Sequence, residues 1–203
     1  PESVAVADAY ADFLAHKGED LYFRTDHHWT QDGAYLAYRA FCEAAGFAPA
    51  EDLAAVESAQ PFFGSLFSKA PLWGLAGDSL RLYEIPRKVQ VTYDLEKTAD
   101  SLYTLSALEK KDQYSVFLDG NHARVDIETD AGTGKTLVVL QDSFAHALVP
   151  FLANHYDTIV VLDLRYYNLP VSDVLAEHPG ADILLTYNLS WLAQDANLFK
   201  LLR

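Results

Sequence analysis

TLVVLQDSFAHALVPFLANHYDTIVVLDL, residues 136–164, decides the fold. Two β-branched apolar runs, TLVVL (136–140) and TIVVLDL (158–164), flank a segment with helical spacing, SFAHALVPFLANHY. An uninterrupted apolar run of this kind fits a strand covered on both faces. The pattern then repeats: VSDVLAEHP reads as a short helix and ADILLTYN (181–188) as a third buried strand. Strand–helix–strand–helix–strand at this spacing predicts right-handed parallel crossovers and an α/β architecture. Ligands of open parallel sheets bind beyond the carboxyl ends of the strands. Gln141-Asp142-Ser143, Asp163-Leu164-Arg165 and Tyr187-Asn188 occupy those ends.

Upstream of this block the reading is more mixed. ESVAVADAYADFLAH (2–16) predicts a helix, and LYFR (21–24) a short strand leading into TDHHW. Thr30 is a natural N-cap for a helix over QDGAYLAYRAFCEAAG that ends at Gly46. Residues 47–77 are rich in Pro, Gly and aromatics and read as irregular. SLRLYEI (79–85) and VQVTYDL (89–95) predict an antiparallel pair, and SVFLDGNHARVDIET (115–129) two more short strands around Gly120-Asn121.

The chain has 203 residues, half of them hydrophobic, enough for one α/β domain with a full core. Fifteen Lys and Arg stand against 29 Asp and Glu, for a net charge of −14, which argues against nucleic acid or an anionic lipid surface as partner. The one cysteine, Cys42, excludes an internal disulfide and sits in a helical run as a small buried hydrophobe. No apolar run is long enough to span a bilayer. The chain begins at Pro1 and contains no Met, as expected of a single domain excised from a longer exported or membrane-anchored protein. GTGKT (132–136) is not a phosphate-binding loop: Thr129 stands where the first glycine belongs, and the motif precedes a strand instead of following one.

Two clusters carry chemistry. Ser143 lies at the turn from strand into helix, where backbone N–H groups and the helix dipole favour developing negative charge. Serine is also a common helix cap, and the two uses are compatible. A serine hydroxyl needs a base held by a third group. RTDHHWTQDG (24–33) supplies one: in an extended segment Asp26 and His28 share a face and His27 looks elsewhere. Of the other histidines downstream of that motif, His146 would project from the flank of a helix, His155 and His178 sit at helix ends and read as solvent-facing, and His122 follows the Gly120-Asn121 turn and could approach the cleft. A metal site built on Asp26, His27 and His28, with Asp32, His122 or Asp142, is the competing use, but no second His or Cys pair has zinc-like spacing. No metal or cofactor is therefore expected.

TDHHWT, FFGSLFSKA, KKDQYSVFLDGN and QDSFAHALVPFLANHYDTIVVLDLRYYN, in this order, resemble the bacterial DHHW family, over about Leu21 to Trp191. That family resembles the SGNH-hydrolase-like proteins of the alginate O-acetylation group. The resemblance implies an SGNH-hydrolase-like (flavodoxin-like), mostly parallel sheet flanked by helices, with an inserted antiparallel β segment. It implies Asp26 as acid, His28 as base and Ser143 as nucleophile, in the reverse chain order of ordinary SGNH hydrolases, as in a circular permutation. Gln141 replaces the usual glycine before Asp-Ser. Asn188 or Asn121 would complete the oxyanion hole, Arg165 and Tyr187 would bind substrate, and Trp29 would line the site. Arg165 pairing with Asp163 or Asp142 is the structural alternative. Phe62, Phe63, Phe67 and Trp73 would either stack on sugar rings or belong to the core.

The implied activity is a serine O-acyl, in particular O-acetyl, esterase or acyltransferase on a bacterial surface or extracellular glycan, working outside the cytoplasm. The alternative is a non-catalytic carbohydrate-binding or assembly domain on the same scaffold. Any membrane association would run through an anchor removed from the N-terminus.

Overall fold

The computed structural model describes residues 4–202, which form two compact units interleaved in sequence. The first comprises residues 4–85, Leu105–Val116 and Ala147–Leu152; the second comprises Pro86–Thr104, Phe117–His146 and residues 153–202. The helices are α1 (Tyr10–Ala15), α2 (Gln31–Ala45), α3 (Ser65–Lys69), α4 (Val149–Leu152), α5 (Val171–Glu177) and α6 (Leu189–Leu192). The strands are β1 (Ala55–Glu57), β2 (Arg81–Tyr83), β3 (Val89–Tyr93), β4 (Lys97–Ala99), β5 (Arg124–Thr129), β6 (Thr136–Gln141), β7 (Thr158–Asp163) and β8 (Asp182–Thr186).

The first unit is organised on α2. Thr30 caps it as expected, its hydroxyl accepting the Gly33 N–H at 3.2 Å, and Gly46 closes it in the left-handed conformation at φ 74°. Tyr35 and Tyr38 on α2 pack against Phe151 of α4. Gly33 lets α2 approach the preceding loop: a Cβ there would overlap the Leu21 carbonyl. The predicted helix over 2–16 shrinks to α1. Glu2 and Ser3 lie outside the described residues, and Val4 and Val6 are exposed with no helical structure before Tyr10. An alanine- and valine-rich segment without a surface to cover does not sustain a helix by propensity alone.

The expected pairing of 79–85 with 89–95 does not occur. β2 pairs with β1 in a two-stranded sheet, and β3 pairs with β4 and β5. β1 lies in the stretch read as irregular, so β2 finds a partner that composition does not advertise. Only one strand, β5, forms in 115–129, because Gln113–Val116 is a 3-10 helix and Phe117 makes a single bridge to Tyr103.

The second unit is built on a six-stranded sheet in the order β4-β3-β5-β7-β6-β8. β7, β6 and β8 run parallel, as the apolar runs predicted. The pairs β4–β3, β3–β5 and β5–β7 are antiparallel. The sheet is therefore mixed, not mostly parallel, and the antiparallel strands extend it instead of forming a separate insertion. Val91, Tyr93, Val125 and Ile127 are all buried and carry the core across into this half.

β6 and β7 are buried on both faces, with Val138, Leu140, Val160 and Leu162 packing against Leu164, Tyr167 and the α5 residues Val171 and Val174. Each such side chain contributes about 1.5–3 kcal/mol on burial. β8 departs from expectation. It is an edge strand, with Ile183 56% and Leu185 49% exposed. An apolar run alone does not distinguish a central strand from an edge. The predicted helix between β6 and β7 divides into a 3-10 turn, Ser143–Ala147, and α4. Pro150 has no N–H with which to continue the hydrogen-bond ladder. GTGKT forms the turn before β6, where the Thr133 and Gly134 N–H groups hold the Asp157 carboxylate. Among the described residues no helix is long and apolar enough to cross a membrane.

Candidate active site

The carboxylate–imidazole pair sits in a closed loop, not in a strand. Tyr22 and Trp29 form an isolated bridge, the Phe23 N–H donates to the His28 carbonyl at 3.2 Å, and the Thr30 N–H donates to Leu21 at 2.9 Å. Asp78, buried, fixes the start of the loop by accepting the Arg24 and Thr25 N–H groups and the Thr25 hydroxyl. The loop then turns so that one oxygen of Asp26, Oδ1, accepts both the His28 backbone N–H at 2.9 Å and His28 Nδ1 at 2.6 Å. Asp26 Oδ2 accepts the Ser65 N–H at 2.5 Å. The pair predicted on an extended face is thus joined by an aspartate turn.

Both residues are buried, Asp26 at 2% exposure and His28 at 4%. Burial by itself would raise the Asp26 carboxyl. The hydrogen bonds from His28 and the Ser65 N–H outweigh it and hold the group far below the usual carboxylate range. An ionised Asp26 only accepts, so Nδ1 of His28 carries the proton and Nε2 keeps its lone pair in the neutral ring. That is the tautomer a general base needs.

Three further residues, which spacing alone does not reveal, shape this pair. Gly64 packs on Asp26 so closely that a Cβ would overlap its Cβ and carboxylate. Ser65 opens α3 and gives Asp26 its second hydrogen bond. Tyr114 lies flat on His28, with ring centroids 3.7 Å apart and planes 5° apart. All three fall inside the stretches that carry the family resemblance, the one signal that could have singled them out.

His27 does not face away as an extended segment would require. Its Nδ1 meets Ser65 Oγ at 2.9 Å, and its ring sits 3.9 Å from that of His28. Asp26, His27 and His28 each offer a ligand atom within 4.8 Å of the others. Both Asp26 oxygens, however, already accept N–H donors, and His28 Nδ1 stands at hydrogen-bond length from one of them. The donor set reads as a hydrogen-bonded pair. The other suggested ligands are engaged elsewhere: Asp32 by Arg81 and Tyr83, His122 by Asp94, and Asp142 by backbone N–H groups. Trp29 stacks on Phe13, Phe62 is core against Phe23, and Trp73 is fully exposed.

In the second unit, the register sets Gln141 beside Asp163 on one side and Thr186 on the other. The three predicted strand ends therefore lie along one edge of the sheet. From Leu137 to Asn154 every residue is buried except Ser143. The cap of the following turn is Asp142, whose Oδ1 accepts the Phe144 N–H at 3.0 Å and whose Oδ2 accepts the Asn188 N–H at 2.8 Å. Capping thus does not require the Ser143 hydroxyl. The turn is a five-residue 3-10 helix, so the expected dipole of a full helix is absent.

Arg165 makes a two-pronged ion pair with the fully buried Asp163, at 2.9 and 2.5 Å, and its Nη2 also reaches Asn121 Oδ1 at 3.3 Å. Asn121 follows three left-handed residues, Leu118, Asp119 and Gly120, a strained turn that sets its position. Asn188 caps α6 through Oδ1, which accepts the Ser190 N–H and leaves only Nδ2 of its amide to donate elsewhere. Burial, and then Asp195, Asp163 and Asp142, push the Tyr187 hydroxyl well above its ordinary pKa, so it remains a proton donor. His146 is buried, and His155 and His178 are half-buried.

Residues 3–162 match the DHHW protein family. A DHHW family protein from Eubacterium siraeum superposes with a TM-score of 0.79 at 28% identity, over 95% of this chain and 67% of that one. PatB1 from Bacillus cereus superposes at 0.68 with 25% identity, over 85% of this chain and 64% of that one. Its structure with a sulfonyl adduct gives 0.69 at 23%, over 90% and 66%. The chain thus spans about two thirds of the length of the proteins it resembles. No curated protein sequence matches it. With most of its length covered by the family match and with the Asp-His-His-Trp loop in place, the chain belongs to the DHHW protein family.

Proposed function

We propose that this chain is a serine-dependent O-acyl, in particular O-acetyl, esterase or acyltransferase for a bacterial surface or extracellular glycan, with Asp26, His28 and Ser143 as its relay. The observation that carries the reading is the Asp26–His28 pair, which fixes the proton on Nδ1 and leaves Nε2 as a base. The partial exposure of Ser143 alone within a buried run supports it. On this reading the whole chain acts as one SGNH-like catalytic domain outside the cytoplasm, supported by its family membership.

The chemistry runs in two halves. Ser143 Oγ attacks the ester carbonyl while its proton passes to His28 Nε2, and Asp26 stabilises the imidazolium. The oxyanion is met by backbone N–H groups at the turn and by Asn188 or Asn121. The carbon–oxygen bond to the leaving alcohol breaks, and His28 returns the proton to that alcohol. Water or a sugar hydroxyl then gives its proton to His28, attacks the acyl-serine and releases the acid or the new ester, restoring Ser143. Arg165 and Tyr187 bind substrate at the strand ends.

Hydrolysis of p-nitrophenyl acetate by wild type, Ser143→Ala and EDTA-treated wild type tests this. Activity lost only in the variant is expected. Activity that survives Ser143→Ala overturns the nucleophile, and activity abolished by EDTA favours the metal reading. Glycan binding without turnover of any ester would favour the binding or assembly role.

A further inference from the structure

Asp78 lies far from Asp26 in sequence and outside all four stretches that carry the family resemblance. Its main chain nevertheless pairs with the arm that carries Gly64. The Phe62 N–H donates to the Asp78 carbonyl and the Asp78 N–H to the Phe62 carbonyl, both at 2.8 Å. Gly77 permits that approach, because a Cβ there would come within 2.8 Å of the Pro61 Cβ and 2.9 Å of the Phe62 carbonyl oxygen.

The Asp78 side chain reaches the other arm. Its Oδ1 accepts the Arg24 N–H at 3.0 Å and Arg24 Nε–H at 3.1 Å. Its Oδ2 accepts the Thr25 N–H at 2.8 Å and the Thr25 hydroxyl at 2.5 Å. Four donors use the whole accepting capacity of a carboxylate. Asp78 is 5% exposed and Thr25 1%, so water does not compete for these bonds. One residue thus holds both arms around Asp26.

The direction of the bonds carries the argument further. Burial alone would raise the Asp78 carboxyl, but hydrogen bonds from Thr25 and Arg24 hold it below its ordinary value, so the group is ionised and only accepts. The Thr25 hydroxyl therefore gives its one proton to Asp78, which is nearer than the Phe62 carbonyl at 3.3 Å. Its oxygen is left to accept, and it accepts the Gly64 N–H at 3.1 Å. Gly64 packs on Asp26, and the next N–H, from Ser65, donates to Asp26 Oδ2. The Phe67 N–H returns from α3 to the Thr25 carbonyl at 3.1 Å. Contacts of fixed direction thus run from Asp78 through Thr25 and the Gly64-Ser65 arm to Asp26 and His28. An amide at position 78 breaks this order, because either orientation sets its NH2 group against N–H donors of Arg24 or Thr25.

We infer that Asp78, acting through the Thr25 hydroxyl, is a positioning residue of the relay, fixing the two arms that set Asp26 against His28. What the positioned pair catalyses rests on the acyl-transfer reading above, whereas the geometry of the pair does not. Asp78→Asn, Thr25→Val and Thr25→Ser in the full chain test the inference. Nitrogen NMR shifts of the neutral His28 ring, assigned against His28→Asn, report which nitrogen holds the proton. Hydrolysis of p-nitrophenyl acetate gives kcat and KM, and thermal melting shows that each variant is folded. Wild type and Thr25→Ser should hold the proton on Nδ1. Asp78→Asn and Thr25→Val should shift it toward Nε2 and lower kcat about tenfold or more, with KM within about twofold. If Asp78→Asn does not fold, Thr25→Val decides, since it keeps the side-chain shape and removes the hydroxyl. A folded Asp78→Asn or Thr25→Val with the wild-type tautomer, equal losses in Thr25→Ser and Thr25→Val, or a wild-type ring already protonated on Nε2 overturns the assignment. Absence of Ser143-dependent ester cleavage in wild type overturns the acyl-transfer reading alone, and the tautomer shift then decides the positioning role.

Discussion

The Tyr114 ring lies parallel to the His28 imidazole at 3.7 Å, so the imidazole is held from its flat face as well as from its edge. Tyr114 is buried, and truncating it leaves a cavity against the ring. Tyr114→Ala should cost about 3–5 kcal/mol in denaturant unfolding, as large aromatic truncations do. It should also lower kcat about tenfold or more by freeing the imidazole. Tyr114→Phe keeps the stack and should stay within about 1.5 kcal/mol of wild type. Equal losses in both variants would show that the ring face does not position His28.

Asp26→Asn replaces an acceptor-only group with one that can also donate toward Nδ1. The imidazole can then take the other tautomer, with its lone pair on the wrong nitrogen. Ester turnover should fall by about 10²–10⁴-fold while the protein stays folded. Activity within a few-fold of wild type would remove Asp26 from the relay.

The same carboxylate sets part of the acid limit of stability. Asp26 titrates lower in the folded chain than in the unfolded one, because its hydrogen bonds outweigh its burial. Its contribution is therefore fully present above the unfolded value, about 4, and is lost as pH falls from there through the folded value. Asp78, also lowered by hydrogen bonds from Thr25 and Arg24 against the effect of burial, acts in the same direction. Thermal melting of wild type between neutral and strongly acid pH should decline below about 4, and Asp26→Asn should flatten that decline. An identical decline in both proteins would place the acid sensitivity elsewhere.

Gly64 has an ordinary backbone, so its role is space alone. Gly64→Ala would drive a methyl group into Asp26, and either the carboxylate or α3 must move. Activity should drop about 10²-fold, since a displacement of about 1 Å at a catalytic group has that effect. Retention of full activity, measured by ester hydrolysis, would mean that the loop tolerates the shift.

Asp142 ties the Ser143 turn to the end of β8 through two backbone hydrogen bonds. Asp142→Ala orphans both N–H groups, at about 1–3 kcal/mol each where they stay buried. Melting temperature and Ser143 reactivity should fall together. A stable variant with unchanged reactivity would show that the turn is set by β6 alone.

The sequence exposes what is local. β6 and β7 are legible because both faces of each strand are buried, and α2 because Thr30 and Gly46 mark its ends chemically. Asp26 and His28 stand out by type and spacing. Their geometry does not, because an aspartate turn and an extended strand can both hold two residues that lie two apart. Non-local choices are hidden. Nothing in SLRLYEI says that its partner is Ala55–Glu57, and no spacing links residue 26 to Gly64 and Ser65, or residue 28 to Tyr114. β8 reads as buried because its composition matches β7, while its place at the sheet edge is set by topology.

The most direct test of the relay is covalent. Wild type, His28→Asn and Ser143→Ala are treated with phenylmethylsulfonyl fluoride, and the adduct is timed by intact mass and located by peptide mass spectrometry. A nucleophilic Ser143 activated by His28 predicts one adduct, on Ser143, forming about 10²-fold more slowly in His28→Asn and not at all in Ser143→Ala. An adduct on another residue, or equal rates in wild type and His28→Asn, would contradict it.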